Sequence, residues 1–278
     1  MFLVTGATGN VGRHVLTRLI TRGHKVRALS RRPDRAAWPV EVEVVAGDLT
    51  DRTALAAALG GVEAAFLFAA PGCGPDFAAA AEAAGVRRVV LMSSGSVGDP
   101  DAVVRESPIA AYHAEVEQAV RDSRLEWTFL RPGAFATNSL AWANQTKSSD
   151  VIRGAYAEAP TAPIHEADIA DAAVAALTQD DHGGQAYRLT GPASLTNAEL
   201  ARVLGQTLGR PITYQELPPE QVRAAMIEHA PAPIVDSLLA IWAASVGHPA
   251  EVTADVDKVT GHPARSFSQW VADHARDF

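Results

Sequence analysis

Gly6, Gly9 and Gly12 follow the apolar run Phe2 to Thr5 directly and open a helical pattern. No other stretch restricts the fold as tightly. Glycine allows a tight turn and a close backbone approach, while free N–H groups at a helix start, aided by the helix dipole, attract phosphate. Strand, glycine loop and helix in that order predict a diphosphate site at Gly6, Thr8, Gly9, Asn10, Val11 and Gly12. The spacing is G-x-x-G-x-x-G, wider than the strict G-x-G-x-x-G form.

The first half of the chain repeats this strand and helix alternation. Further strands are expected at Lys25 to Ser30, Glu43 to Ala46, Ala64 to Ala69, Arg88 to Met92 and Trp127 to Leu130. Most are continuous apolar runs, as in parallel strands covered on both faces. Helices are expected at Val11 to Thr21, with Val15, Leu16, Leu19 and Ile20 on one face, and at Asp51 to Leu59 behind a capping Thr50. A third runs from Pro108 to Asp122 with Val116 and Val120 inward. The fold class is therefore α/β, a Rossmann-type doubly wound parallel sheet over residues 1–134. Residues 135–278 read mainly as a small, mostly helical substrate lobe, with a strand near 186–190 rejoining the sheet and helices at Asn197 to Leu208, Glu220 to His229, Ile234 to Val246 and Phe267 to Arg276. A crevice between the two parts is the expected ligand site.

Composition narrows the function. Of 278 residues, 47% are apolar and 20% charged, the usage of an ordinary globular domain, and the net charge of −8 with no basic run speaks against nucleic-acid binding. Cys73 is the single cysteine, so no intrachain disulfide forms. The start Met1-Phe2-Leu3-Val4 shows no signal-peptide pattern and no stretch is long enough to span a membrane, so the expectation is a cytoplasmic protein with no membrane partner. Whether it is a monomer or a homodimer is open. The nine histidines form no H-x-x-x-H or Cys-supported constellation, and no metal is expected.

The second strand ends in Ser30-Arg31-Arg32, where an NAD site would place an Asp or Glu for the ribose 2′-OH. Two guanidiniums suit a 2′-phosphate instead, which favours NADP(H) over NAD(H), the bland reading being a solvated surface pair. Asp48 and Leu49 end the third strand, where the acid meets the adenine amino group or caps the next helix. Ala69, Ala70 and Pro71 end the fourth strand, leaving backbone for the ribose-phosphate or forming a plain tight turn.

Taken together, TGATGNVG, Ser30-Arg31-Arg32-Pro33, Gly47-Asp48-Leu49, Leu91-Met92-Ser93-Ser94 and Thr128-Phe129-Leu130-Arg131-Pro132-Gly133 resemble the atypical short-chain dehydrogenase/reductase superfamily, in its NmrA-like branch. Within that branch the chain is most similar to NADPH-dependent quinone oxidoreductases of type 2 and triphenylmethane reductases, nearly end to end. The resemblance implies hydride transfer from NADPH to a small, already electrophilic acceptor such as a quinone, an enone or a dye. It also implies cofactor contacts at Ser93, Pro132 and Gly133, and an acceptor facing Ser94, Phe135, Asn138 and Trp142. For Trp142, as for Trp242, packing within the lobe competes with that role.

One departure matters. A typical member carries Tyr-x-x-x-Lys; here Tyr112 is followed by Val116 and His113 by Glu117, so no lysine is available. The family pattern points to His113 and Glu117, one helical turn apart, with His113 as proton donor or substrate contact and Glu117 orienting it or binding the nicotinamide ribose. Tyr112 is the remaining proton donor, and a plain i,i+4 surface pair is the alternative for His113 and Glu117. The missing pair also keeps open an NmrA-type sensor that binds NADP(H) without turnover, and a biosynthetic ketone or imine reductase. Asp168 in His165-Glu166-Ala167-Asp168 is expected to cap a helix, and Cys73, beside Gly72 and Gly74, to be an exposed bystander thiol near the cofactor.

Overall fold

The computed structural model describes residues 1–278. Seven strands form one sheet: β1 (Phe2–Thr5), β2 (Val26–Ser30), β3 (Val42–Ala46), β4 (Ala64–Phe68), β5 (Arg88–Met92), β6 (Glu126–Pro132) and, later in the chain, β9 (Gln185–Leu189). Their order is β3-β2-β1-β4-β5-β6-β9, and every neighbouring pair is parallel. The order reverses between β1 and β4, so the carboxyl ends of those two strands flank the crevice where this architecture takes its ligand.

Both sheet faces are covered over the central strands, which is why β1, β4 and β5 are buried without alternation, while the edge strands β3 and β9 are part-exposed. On one face lie α1 (Gly12–Thr21) and α7 (Glu166–Thr178), and on the other α2 (Arg52–Leu59), α3 (Gly74–Ala83) and α5 (Pro108–Arg121), each face with its own buried cluster. The expected stripe on α1 is there: Val15, Leu16 and Leu19 are buried, at roughly 2 kcal/mol apiece, and Ile20 sits at the edge. Two arginines, Arg88 buried and Arg27 partly so, close helix ends. Arg88, only 1% exposed, offers Nη1 to the carbonyls of Ala176 and Leu177 in the last turn of α7 and of Gln179 just after it, and Arg27 offers Nη1 to those of Ala58 in the last turn of α2 and of Gly60 just after it.

Between α3 and the end of β6 come the short α4 (Ala102–Arg105) and α5; beyond β6 a 3₁₀ turn over Ala136–Trp142 leads to α6 (Ala143–Ser148). The rest of the lobe has two small sheets the sequence did not signal. In one, β7 (Val151–Gly154) pairs parallel with β11 (Thr213–Glu216); in the other, β8 (Pro160–Thr161) pairs antiparallel with β10 (Leu195–Thr196). Around them stand α8 (Asn197–Leu208), α9 (Pro219–Met226), α10 (Ala232–Ser245) and α12 (Phe267–Asp273), while α11 (Asp255–Thr260) packs on α7.

Two expected caps fall elsewhere. α2 is capped by Asp51, whose carboxylate accepts from the amides of Thr53 (2.8 Å) and Ala54 (3.2 Å), because Thr50 turns its hydroxyl to Asp48. α7 is capped by His165 Nδ1, which accepts from the Ala167 amide (3.1 Å). Asp168 is one turn in and fully buried, its two oxygens taken by the backbone amide and the guanidinium of Arg265. Asp171 joins it, bonded by Arg18 and Arg265, with His262 alongside. Two guanidiniums offset the two carboxylates, so this group ties α1 and α7 to the loop before α12.

Candidate active site

The glycine loop is built as its letters require. Gly6 has φ +60° and accepts from the Gly9 amide (2.9 Å), and a Cβ on Gly12 would lie 2.1 Å from the Gly6 carbonyl oxygen. α1 begins with no side-chain cap, and no group of the chain accepts from the amides of Asn10, Val11 or Gly12. Unpartnered amides at a helix start are what an anionic diphosphate bridges.

The groove above this loop has a volume of about 450 Å³. Its walls include Gly6 through Gly12, Ser30, Arg31, Asp48, Leu49, Ala70 and Phe135, as expected, together with Leu29, Phe68 and Met92, which the sequence did not single out. Phe68 is 44% exposed at the tip of β4, held there because Thr5 Oγ1 accepts from its amide (2.7 Å). Ala69 is buried beneath the groove and Pro71 lies on the surface beyond it.

A second cavity of about 530 Å³ shares Ala7, Thr8, Ser30 and Arg31 with the groove. Arg13, Arg31, Arg32 and Arg35 line it, with Thr17 and Trp38, and no carboxylate does. Arg13 and Arg35 escaped the sequence reading because one comes from the start of α1 and the other from the 3₁₀ turn Pro33–Arg35, and only the fold aims them at the same space. Asp48 stays on the groove side: its Oδ1 accepts from the amide (3.0 Å) and hydroxyl (2.9 Å) of Thr50, which lowers its pKa, and its Oδ2 is 3.8 Å from Arg31 Nε.

At the carboxyl ends of β5 and β6 the side chains interlock. Glu117, 2% exposed on α5, accepts from Ser93 Oγ (2.7 Å) and, in a two-pronged pair, from Arg131 Nε (2.8 Å) and Nη2 (2.6 Å). The bonds to Glu117 raise the Arg131 pKa. Glu117 therefore does not orient His113, which lies one turn away: His113 Nδ1 meets the Ile109 carbonyl (2.8 Å). A carbonyl only accepts, so the proton sits on Nδ1 and Nε2 carries a lone pair. Burial lowers the His113 pKa and raises that of Tyr112, whose ring lies 4.0 Å from the imidazole.

The neighbouring loops complete the floor. Gly95 donates to the Pro132 carbonyl (2.7 Å), Gly133 to that of Leu189 (2.9 Å), and Ser94 pairs with Ser96 (2.8 Å between hydroxyls). Asn138 is exposed, whereas Trp142 is half-buried against Tyr214 in the lobe's own apolar cluster. Cys73 is not exposed: its side chain is fully buried under α3, its sulfur accepts from the Ala70 amide (3.4 Å), and burial pushes its pKa up.

A seven-strand parallel sheet with a glycine-loop anion cradle at its switch point defines a dinucleotide-binding Rossmann protein. The NAD(P)H-binding family matches residues 6–180, and the chain belongs to it, in the NmrA-like branch of the atypical short-chain dehydrogenases/reductases. It is similar to (4-alkanoyl-5-oxo-2,5-dihydrofuran-3-yl)methyl phosphate reductase of Streptomyces griseus, at 44% identity over 100% of this chain and 99% of that one. NAD(P)H azoreductase of Xenophilus azovorans is 35% identical over 100% and 99% of the two chains. The crystal structure of the NADPH-dependent quinone oxidoreductase QOR2 of Escherichia coli, complexed with NADPH, superposes with a TM-score of 0.82 at 26% identity, covering 99% of this chain and 100% of that one. No helix is long and apolar enough to cross a membrane.

Proposed function

We propose that this chain is an NADPH-dependent reductase of a small, conjugated, electrophilic acceptor. The observation that carries the reading is the four-arginine cavity opening off the dinucleotide groove, a place for a dianionic 2′-phosphate whose lining holds no carboxylate, Asp48 meeting Arg31 only from the groove side. Full-length similarity to reductases of a dihydrofuranone phosphate and of azo compounds supports an acceptor with a polarised double bond. Residues 1–134 with β9 hold the cofactor, residues 135–278 mainly shape the acceptor side, and the acceptor lies near Ser94, Phe135 and Asn138.

NADPH, when bound, supplies the hydride. The amides of Asn10, Val11 and Gly12 would hold the diphosphate, and Asp48 and Leu49 would border the adenosine. Ala70, Pro132 and Gly133 would let the chain pass close to the ribose and nicotinamide ends. Ser93 gives its hydroxyl proton to Glu117, so toward the acceptor it offers only lone pairs. His113, neutral and protonated on Nδ1, presents Nε2 as a hydrogen-bond acceptor for a ribose or substrate hydroxyl. Water, or Tyr112 where the acceptor is a carbonyl, would supply the proton the reduced acceptor takes up. An acceptor that is already electrophilic needs positioning more than acid catalysis, which is consistent with the missing Tyr-x-x-x-Lys pair.

The test is NADPH consumption against quinones, enones, butenolides, azo compounds and triphenylmethane dyes. Turnover with at least one class, and slower turnover with NADH, is the expected result. Tight NADPH binding with turnover of none would mark a sensor instead.

A further inference from the structure

The loop between β2 and β3, residues 31–41, carries three of the four arginines that line the cavity, Arg31, Arg32 and Arg35. All three are exposed, Arg32 and Arg35 meet no carboxylate of the chain, and Arg31 meets only Asp48, at 3.8 Å. Like charges gathered on a loop drive it open unless another contact holds it. Trp38 is that contact. Within residues 31–41 it is the one side chain packed on a buried apolar cluster, half-buried against the group that includes Leu16 of α1.

Trp38 also reaches back to the 3₁₀ turn Pro33–Arg35, where its indole Nε1 donates to the Pro33 carbonyl (2.8 Å). The other bonds that shape this turn are longer. The Arg35 amide donates to the Arg32 carbonyl (3.2 Å), the Ala36 amide to that of Pro33 (3.4 Å), and the Arg32 amide to Ser30 Oγ (3.3 Å). Those lengths lie at or past the upper end for an N–H donor, so alone they fix the turn weakly. The indole therefore clamps the turn that bears Arg35 at one end, roots it in the core at the other, and lines the same cavity as the arginines.

We infer that Trp38 is the positioning residue that sets the preference for NADPH over NADH. By pinning the turn it keeps Arg32 and Arg35 facing the cavity before a 2′-phosphate arrives, so little has to be ordered on binding. NADH, with a hydroxyl in that place, draws nothing from the arrangement. The inference rests on the reading of the cavity as the 2′-phosphate site and names what fixes cofactor choice there.

The experiment compares wild type with Trp38→Phe, which keeps a ring against the cluster and loses the N–H donor, and Trp38→Ala, which loses both. Calorimetric titrations with NADPH, NADH, adenosine 2′,5′-bisphosphate and adenosine 5′-monophosphate isolate the share of binding due to the 2′-phosphate. In Trp38→Ala the affinity for NADPH and for the bisphosphate falls roughly tenfold, the cost of ordering two arginines and their turn, while NADH and the monophosphate hold. Trp38→Phe shifts the same pair by less, and decides alone if Trp38→Ala does not fold. Trypsin reads the pinning without any cofactor: the bond after Arg35 is cut faster in Trp38→Ala than in wild type. A preference for NADPH unchanged in both variants, or cutting at the wild-type rate, overturns the role of Trp38 and leaves the arginine cavity standing. So does an equal loss for NADPH and NADH, which marks Trp38 as packing alone. A wild type that prefers neither cofactor removes the 2′-phosphate reading and this inference with it.

Discussion

Ser93 Oγ donates its proton to Glu117 Oε1 at 2.7 Å, and that carboxylate is held in turn by both prongs of Arg131. A serine spent in this way anchors the end of β5 and does not protonate an acceptor. Ser93→Ala is therefore expected to keep kcat within a few-fold while losing about 2 kcal/mol, the order of a buried hydrogen bond to a charged group. Glu117→Ala strands the Arg131 guanidinium and costs more, about 3 kcal/mol, near the low end for a broken buried pair because Arg131 keeps some water. Denaturant unfolding and steady-state kinetics on the two variants separate anchoring from catalysis.

The arginine cavity sets cofactor preference. Replacing Arg31 or Arg32 with Ala should weaken NADPH binding roughly 10- to 100-fold, one charge-assisted hydrogen bond's worth, and leave NADH binding nearly unchanged. Arg13→Ala and Arg35→Ala should act in the same direction. An equal loss for both cofactors would place these side chains elsewhere than at the 2′-phosphate.

His113 makes a pH statement. Its folded pKa lies below the ordinary 6.5 through burial, so the neutral ring, with Nε2 free to accept, persists across neutral pH. kcat/KM is expected to stay level through neutrality and to fall only in acid, as the imidazolium forms. His113→Ala should remove that acid limb. A profile that instead declines as pH rises through neutrality would make His113 an acid.

Glu166, 1% exposed, is a store of pH-dependent stability. Burial alone would raise its pKa, but the imidazole of His165 beside it, its own amide and a bond from His274 outweigh that and bring it from 4.5 to about 2. A carboxyl depressed on folding stabilises fully above its unfolded pKa and loses that contribution as pH falls through the folded one. The window is therefore about pH 4.5 down to 2, and the shift corresponds to roughly 3 kcal/mol. Glu166→Gln should be less stable at neutral pH and lose less on acidification, read by chemical melts across that range.

Much of the fold was legible because its signals are local. The runs Phe2 to Thr5, Arg88 to Met92 and Asn197 to Leu208 match the elements that form, and the glycine loop announced both the crossover and the cradle. What stayed hidden depends on partners distant in sequence. Glu117 reads as a helical neighbour of His113 until the fold brings Arg131 and Ser93 to it. Arg13 and Arg35 become cavity walls only when α1 and the turn after β2 converge. Cys73 looked exposed between glycines, yet α3 starts there and draws it inward. Cap choice was missed for a related reason: at Thr50-Asp51 and His165-Asp168 two acceptors compete, and the winner is the one with no better partner.

The most direct test is a calorimetric titration of cofactor-stripped protein with NADPH and, separately, with NADH. Binding of both, with NADPH at least tenfold tighter, is the expected result. No heat from either, or NADH equal to or tighter than NADPH, would contradict a diphosphate cradle flanked by a four-arginine phosphate site.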